Sequence, residues 1–132
     1  MLGFAANIFY AQSNAPASAG VYTTEQARRG NTLYQAQCVS CHSDDLQGSG
    51  MTPPLAGDDF MANWSGKPVA ALFDKVQKTM PADHPGSLTR PQTADLVAFL
   101  LSSNNFPAGK TELPTDPGSL KQILIDKAPP KN

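Results

Sequence analysis

The run Cys38-Val39-Ser40-Cys41-His42 constrains this chain more than any other stretch. Its two cysteines are the only ones in 132 residues, so no multi-bridge disulfide framework can hold the fold. A four-ligand zinc site would need a second ligand pair, and the only other histidine is His84. A thioredoxin-like redox pair would sit beside a βαβ pattern, and none is legible here. What remains is the attachment pattern of c-type haem. Cysteines three apart lie on the same side of a helical turn, so their sulfurs can reach two vinyl groups on one porphyrin edge. The next residue's imidazole then reaches the iron. The motif therefore predicts thioether attachment at Cys38 and Cys41, with His42 as the proximal ligand.

Six-coordinate iron takes a second axial ligand, and a methionine thioether raises the reduction potential by favouring the ferrous state. Four methionines compete for the place. Met1 lies in a leader-like segment, Met51 follows the proximal loop too closely to wrap to the opposite haem face, and Met61 precedes the second predicted helix. Met80 stands behind that helix and before Pro81, and it is the predicted distal ligand. Core filling is the ordinary role of a lone methionine, so this assignment depends on the haem. His84 is the rival ligand, but between Asp83 and Pro85 it reads as a solvated loop residue.

Composition agrees with a chain that leans on a cofactor. Gly 10 and Pro 12 make up about a sixth of the residues, and the hydrophobic share of 40% lies below the usual 45–50% or so. Such a chain is loop-rich and its own core is lean. Its length fits one domain. Lys+Arg 10 against Asp+Glu 11 leaves no basic field for nucleic acid. No apolar run approaches the roughly 20 residues of a membrane span. The pairs Asp44-Asp45 and Asp58-Asp59 read as solvated loop groups, and no nucleophile motif or phosphate-binding glycine loop is present. An electron carrier is expected rather than an enzyme.

Along the chain, residues 1–20 combine about ten apolar residues with a small-residue stretch, the form of a signal-peptide remnant or of a disordered N-terminus. Thr23-Thr24-Glu25-Gln26 has capping-box form and opens a helix over 24–37, with Ala27, Gly30, Tyr34 and Cys38 on one stripe. Glycines and prolines break up residues 43–67, which read as irregular. A second helix runs from Pro68 to near Thr79, with Val69, Leu72, Phe73 and Val76 inward. Thr89-Arg90-Pro91-Gln92 offers a second capping box, and Leu96, Phe99 and Leu100 face inward on the third helix. Residues 105–132 form a Pro/Gly-rich extension, packed on the domain or trailing it, in which 120–125 fits strand or helix equally.

These residues together resemble the class I cytochromes c over residues 21–104. The ordered set is Gly30 and Tyr34 before the motif, Cys38-Val39-Ser40-Cys41-His42, Pro53-Pro54-Leu55-Ala56-Gly57, Met80-Pro81 and a closing helix with Phe99. The resemblance implies a small all-α fold of three to four helices and long loops wrapped around one covalent haem c. It implies that the first and last helices cross at Gly30 and Tyr34. It further implies that the Pro53 carbonyl accepts the Nδ1 proton of His42, an outer bond that orients the ring. Leu55 and Trp64 become pocket residues, Trp64 either reaching a haem propionate or serving as a plain core tryptophan.

The longer string of Pro54-Leu55-Ala56-Gly57, Phe60, Trp64, Met80-Pro81-Ala82-Asp83 and Asn105-Phe106-Pro107-Ala108-Gly109 is similar to bacterial monohaem cytochromes that accept electrons from quinoprotein dehydrogenases. Thr93 departs from that pattern, standing where those relatives commonly carry an aromatic residue. The resemblance implies a periplasmic carrier passing single electrons from a donor such as a PQQ-dependent dehydrogenase to an acceptor such as a terminal oxidase, as a monomer or as a subunit of a redox complex. The competing expectation is a haem protein with a labile distal ligand, acting in ligand sensing or peroxidatic chemistry.

Overall fold

The helix after Thr23 starts on a side-chain cap: in the computed structural model, which describes residues 15–127, the Thr23 hydroxyl accepts from the Gln26 N–H at 3.1 Å. This helix, α1 (Thr24–Gln37), buries Ala27, Gly30 and Tyr34 along the expected stripe. The reciprocal half of the capping box is not made. Gln26 is only 2% exposed, and its amide grips the Leu113 backbone instead, donating to the carbonyl at 3.2 Å and accepting the N–H at 2.7 Å. A distant segment thus takes over a side chain that local sequence assigned to the helix end.

Among the described residues five further helices follow: α2 (Val39–His42), α3 (Asp58–Trp64), α4 (Val69–Thr79), α5 (Arg90–Ser103) and α6 (Pro117–Lys121). The molecule is all-α in class, with two short strands, β1 (Ala15–Pro16) and β2 (Ile123–Leu124), paired in parallel. Three to four helices were expected. The surplus comes partly from 43–67, where Gly57 and Gly66 bracket α3 rather than dissolve it. Asp58 and Asp59 in its first turn suit the positive end of the helix, and Phe60 is buried. The ambiguous run at 120–125 resolves into both alternatives, with Leu120 in α6 and Ile123 and Leu124 in β2. Helix α5 carries the full capping box, Thr89 accepting from the Gln92 N–H and Gln92 accepting from the Thr89 N–H.

Helices α1 and α5 make the central crossing. A Cβ on Gly30 would lie 1.9 Å from the Asp95 carbonyl oxygen and 2.8 Å from the Phe99 Cβ, so only glycine lets the two backbones approach this closely. The Tyr34 and Phe99 rings meet one turn further on, with centroids 5.2 Å apart. On the same seam Arg29 bridges Asp95 at 3.2 Å and Glu112 at 2.7 Å. Gly30→Ala should therefore destabilise the holoprotein by about 3 kcal/mol or more, the upper end for overpacking, because the clash is with backbone. Equilibrium denaturation of the variant beside wild type checks this; an unchanged midpoint would refute the crossing.

Both ends of the described chain pack onto this frame. Residues 1–14, which carry most of the leader-like stretch, lie outside the described residues. Residues 15–20 are built into the domain: Ala17 is buried, and Ser18 bonds through N–H and hydroxyl to the Asp126 carboxylate. Within 105–127, Phe106, Leu113, Leu120, Ile123 and Ile125 are all buried. Tyr22 donates to the Phe106 carbonyl at 2.5 Å. Burial pushes its phenol upward from the usual pKa, as expected of a hydroxyl held as a donor.

Candidate functional site

Helix α1 ends at Cys38, whose backbone lies outside helical geometry (φ −123°, ψ −26°), and the single turn α2 restarts at once. The Cys38 carbonyl accepts from the His42 N–H at 2.9 Å and the Cys41 N–H at 3.2 Å, which brings the three motif side chains to one wall. The chain then reverses through Ser43 at φ 73°, held by the Tyr34 hydroxyl, which donates to the Ser43 carbonyl at 2.6 Å. Tyr34 so serves both the helix crossing and the exit from the motif. Its phenol is pushed up to about 12, with desolvation the main cause.

Residues 43–55 fold back over His42. Gly48 N–H donates to the His42 carbonyl at 2.9 Å and Leu55 N–H to the Leu46 carbonyl at 2.7 Å. This return places the Pro53 carbonyl 3.1 Å from His42 Nδ1. A carbonyl only accepts, so Nδ1 carries the proton and the lone pair is left on Nε2. His42 is 7% exposed. Asn104 braces the same wall from the end of α5: its Nδ2 donates to the carbonyls of Leu55 at 3.0 Å and Leu100 at 2.8 Å, and its Oδ1 accepts from Gly57 at 3.0 Å. Sequence reasoning missed Asn104. The one signal for it was a polar residue at the closing turn of an apolar helix.

Residues of α4 and of the loop that follows it line the same cavity as α2. The cavity holds about 870 Å³, within the roughly 300–1,000 Å³ typical of ligand pockets. All seven residues singled out from the sequence line it: Cys38, Cys41, His42, Pro53, Leu55, Trp64 and Met80. Its remaining walls are largely apolar, including Phe60, Leu72, Val76, Leu88, Leu96 and Leu100. Among the other methionines, Met51 lies at the cavity edge but is 100% exposed, and Met61 packs against the core without lining the cavity. His84 does not line it either. That side chain is 77% exposed, with Nδ1 3.8 Å from the Asp83 carboxylate. Trp64 packs on Phe60 with centroids 6.3 Å apart, and Lys67 Nζ sits 5.1 Å above its ring.

The donor set suits a covalently held porphyrin. Two free thiols lie three residues apart, one imidazole has its outer nitrogen satisfied and its inner lone pair available, and the half-buried Met80 thioether lines the same apolar space. Burial pushes the Cys38 thiol up to about 11, with the neighbouring Cys41 adding to the shift, so the charged form is disfavoured against this wall. Among the described residues no group of three or more His, Cys, Asp or Glu is arranged to hold a free metal ion. Asp45 caps the Gln47 N–H at 3.0 Å, a turn contact consistent with a solvated loop pair.

Comparison with known proteins points the same way. The family model for "cytochrome C oxidase, cbb3-type, subunit III" matches residues 25–100. The fructose dehydrogenase cytochrome subunit of Gluconobacter japonicus is 27% identical over 124 residues, spanning 86% of this chain and 26% of that protein. Cytochrome c-554(547) of Halothiobacillus neapolitanus is 58% identical over 31 residues, 24% of this chain and 34% of that one. This chain thus spans about a quarter to a third of the length of these relatives. Among solved structures, the crystal structure of the sulfane dehydrogenase SoxCD from Paracoccus pantotrophus aligns with 95% of this chain and 66% of its own. The TM-score is 0.54 at 21% identity, a likeness of fold.

Proposed function

The chain belongs to the cytochrome c family, through the cbb3-type subunit III domain matched over residues 25–100, and from that premise we propose that it is a periplasmic carrier of single electrons. It is a c-type cytochrome of electron transfer with haem c and its iron as cofactor. When bound, that group supplies a one-electron ferric/ferrous couple. In the proposed site Cys38 and Cys41 would hold the porphyrin through thioethers, and His42 Nε2 and the Met80 sulfur would supply the ligands to its iron. Leu55 and Trp64 close the pocket and exclude water. Pro53 keeps the imidazole proton on Nδ1, and this 3.1 Å bond is the observation that carries the reading.

The proposed domain is a body over residues 21–104 onto which 15–20 and 105–127 are packed. Among the described residues no helix is long and apolar enough to cross a membrane. A relative named as the cytochrome subunit of a fructose dehydrogenase supports a dehydrogenase as donor. The sequence resemblance adds a PQQ-dependent enzyme as its type and a terminal oxidase as acceptor, with this chain either free or held as a subunit. No substrate is turned over in this reading.

A carrier has both axial sites filled. The oxidised protein should show a methionine sulfur-to-iron charge-transfer band, and the reduced protein should bind carbon monoxide slowly. Rapid carbon monoxide binding by the wild type, with no such band, would instead establish a sensing or peroxidatic haem protein.

A further inference from the structure

The loop over residues 80–88 brings Met80 to the cavity and is fastened at few points. Internally it holds two turns, His84 N–H donating to the Pro81 carbonyl at 2.9 Å and Ser87 N–H to the His84 carbonyl at 3.2 Å. Its near end hangs from α4, where Met80 N–H donates to the Val76 carbonyl at 3.0 Å. Among the described residues, one side chain from the rest of the fold hydrogen-bonds this loop: Gln77, in the last turn of α4, donates through Nε2 to the Leu88 carbonyl at 2.6 Å. Leu88 is buried and lines the cavity, so the bond closes the loop at its far end.

The orientation of that amide follows from its partners. Leu88 offers a carbonyl, which only accepts, so the NH2 end faces it and Gln77 Oε1 is turned to the hydroxyl of Thr93. Thr93 Oγ1 donates to Oε1 at 3.0 Å and also lies 3.0 Å from the Thr89 carbonyl one turn back. Thr93 is fully buried on α5. Its place is the one where the sequence departs from the dehydrogenase-linked pattern, and here a small hydroxyl supplies the donor that fixes Gln77.

We propose that Gln77, held by Thr93, is the positioning residue that latches the Met80 loop. Both ends of the loop are tied to the same turn of α4, one through the backbone and one through this amide. With both ties made, the thioether has little freedom to leave the face it serves. With the amide tie cut, the far end is held only by the burial of Leu88 and its continuation into the Thr89 cap of α5, so the residues between open the distal position more often. The proposal rests on Met80 as distal ligand.

The test is cyanide binding to the oxidised holoprotein, followed together with the sulfur-to-iron band. A lost hydrogen bond to a buried carbonyl should raise the open population about tenfold. Gln77→Leu and Thr93→Val should therefore bind cyanide about tenfold faster than wild type, while Thr93→Ser, which restores the hydroxyl, returns to the wild-type rate. Tyr22→Phe removes a buried bond elsewhere in the fold and should leave the rate unchanged. Wild-type rates in both Gln77→Leu and Thr93→Val would overturn the latch, as would equal acceleration by Tyr22→Phe. If Gln77→Leu does not fold, the contrast between valine and serine at Thr93 decides. Failure of the Met80 assignment looks different: the wild type itself would then lack the band and bind cyanide at once.

Discussion

Without haem the chain should lose its cooperative fold: a Cys38→Ala, Cys41→Ala double variant, made so that no thioether forms, is expected to show weak helical circular dichroism and no sharp thermal transition. The cavity between α2, α4, α5 and the Met80 loop is about 870 Å³. A pocket of that size cannot stand dry and empty in a domain held together by only about 5–15 kcal/mol. Filling it with water instead leaves the half-buried apolar side chains of Leu55, Trp64, Val76 and Met80 against solvent, which removes the hydrophobic gain of folding around them. The lean composition leaves little else to compensate, since only 40% of the residues are hydrophobic. A haem-free variant melting cooperatively near the holoprotein's temperature would show that the polypeptide core suffices alone.

Met80→Ala should abolish the sulfur-to-iron band and lower the reduction potential by tenths of a volt, a sizeable part of the roughly 0.8 V range that axial ligands command. Thioether sulfur favours ferrous iron, and its removal leaves water or an exogenous ligand that favours ferric iron. Met61→Ala is the matched control, because Met61 packs on the core outside the cavity. It should cost stability and leave band and potential in place. Spectroelectrochemical titration of the two variants reads both quantities at once. The opposite pattern would move the ligand assignment to Met61.

The local parts of this fold were readable from the sequence because local chemistry sets them. The Thr89 and Gln92 cap forms as its residues suggest, and the stripe through Ala27, Gly30 and Tyr34 is buried as its spacing requires. The Pro53 to His42 bond was expected only through family resemblance, since nothing local ties a carbonyl to an imidazole in a separate loop. What escaped reading depends on partners remote in sequence. Gln26 looks like a helix cap until Leu113 arrives, and α3 hides among glycines that turn out to be its borders. Asn104 and Gln77 are unremarkable polar residues in the sequence; each gains its role from carbonyls that only the folded chain brings within reach.

The pairing of β1 with β2 sets Ala15 beside Ile123, while Gly66 N–H donates to the Ile125 carbonyl at 2.7 Å and Ile125 N–H to the Lys67 carbonyl at 2.8 Å. Residues 15–16 and 123–125 are therefore stitched to each other and to the lip of the cavity beside Trp64. Loss of the pairing at 15–16 frees the strand at 123–124, and loss of the bonds at Ile125 slackens the seam at 66–67, so damage to either remote segment travels to the cofactor's doorway.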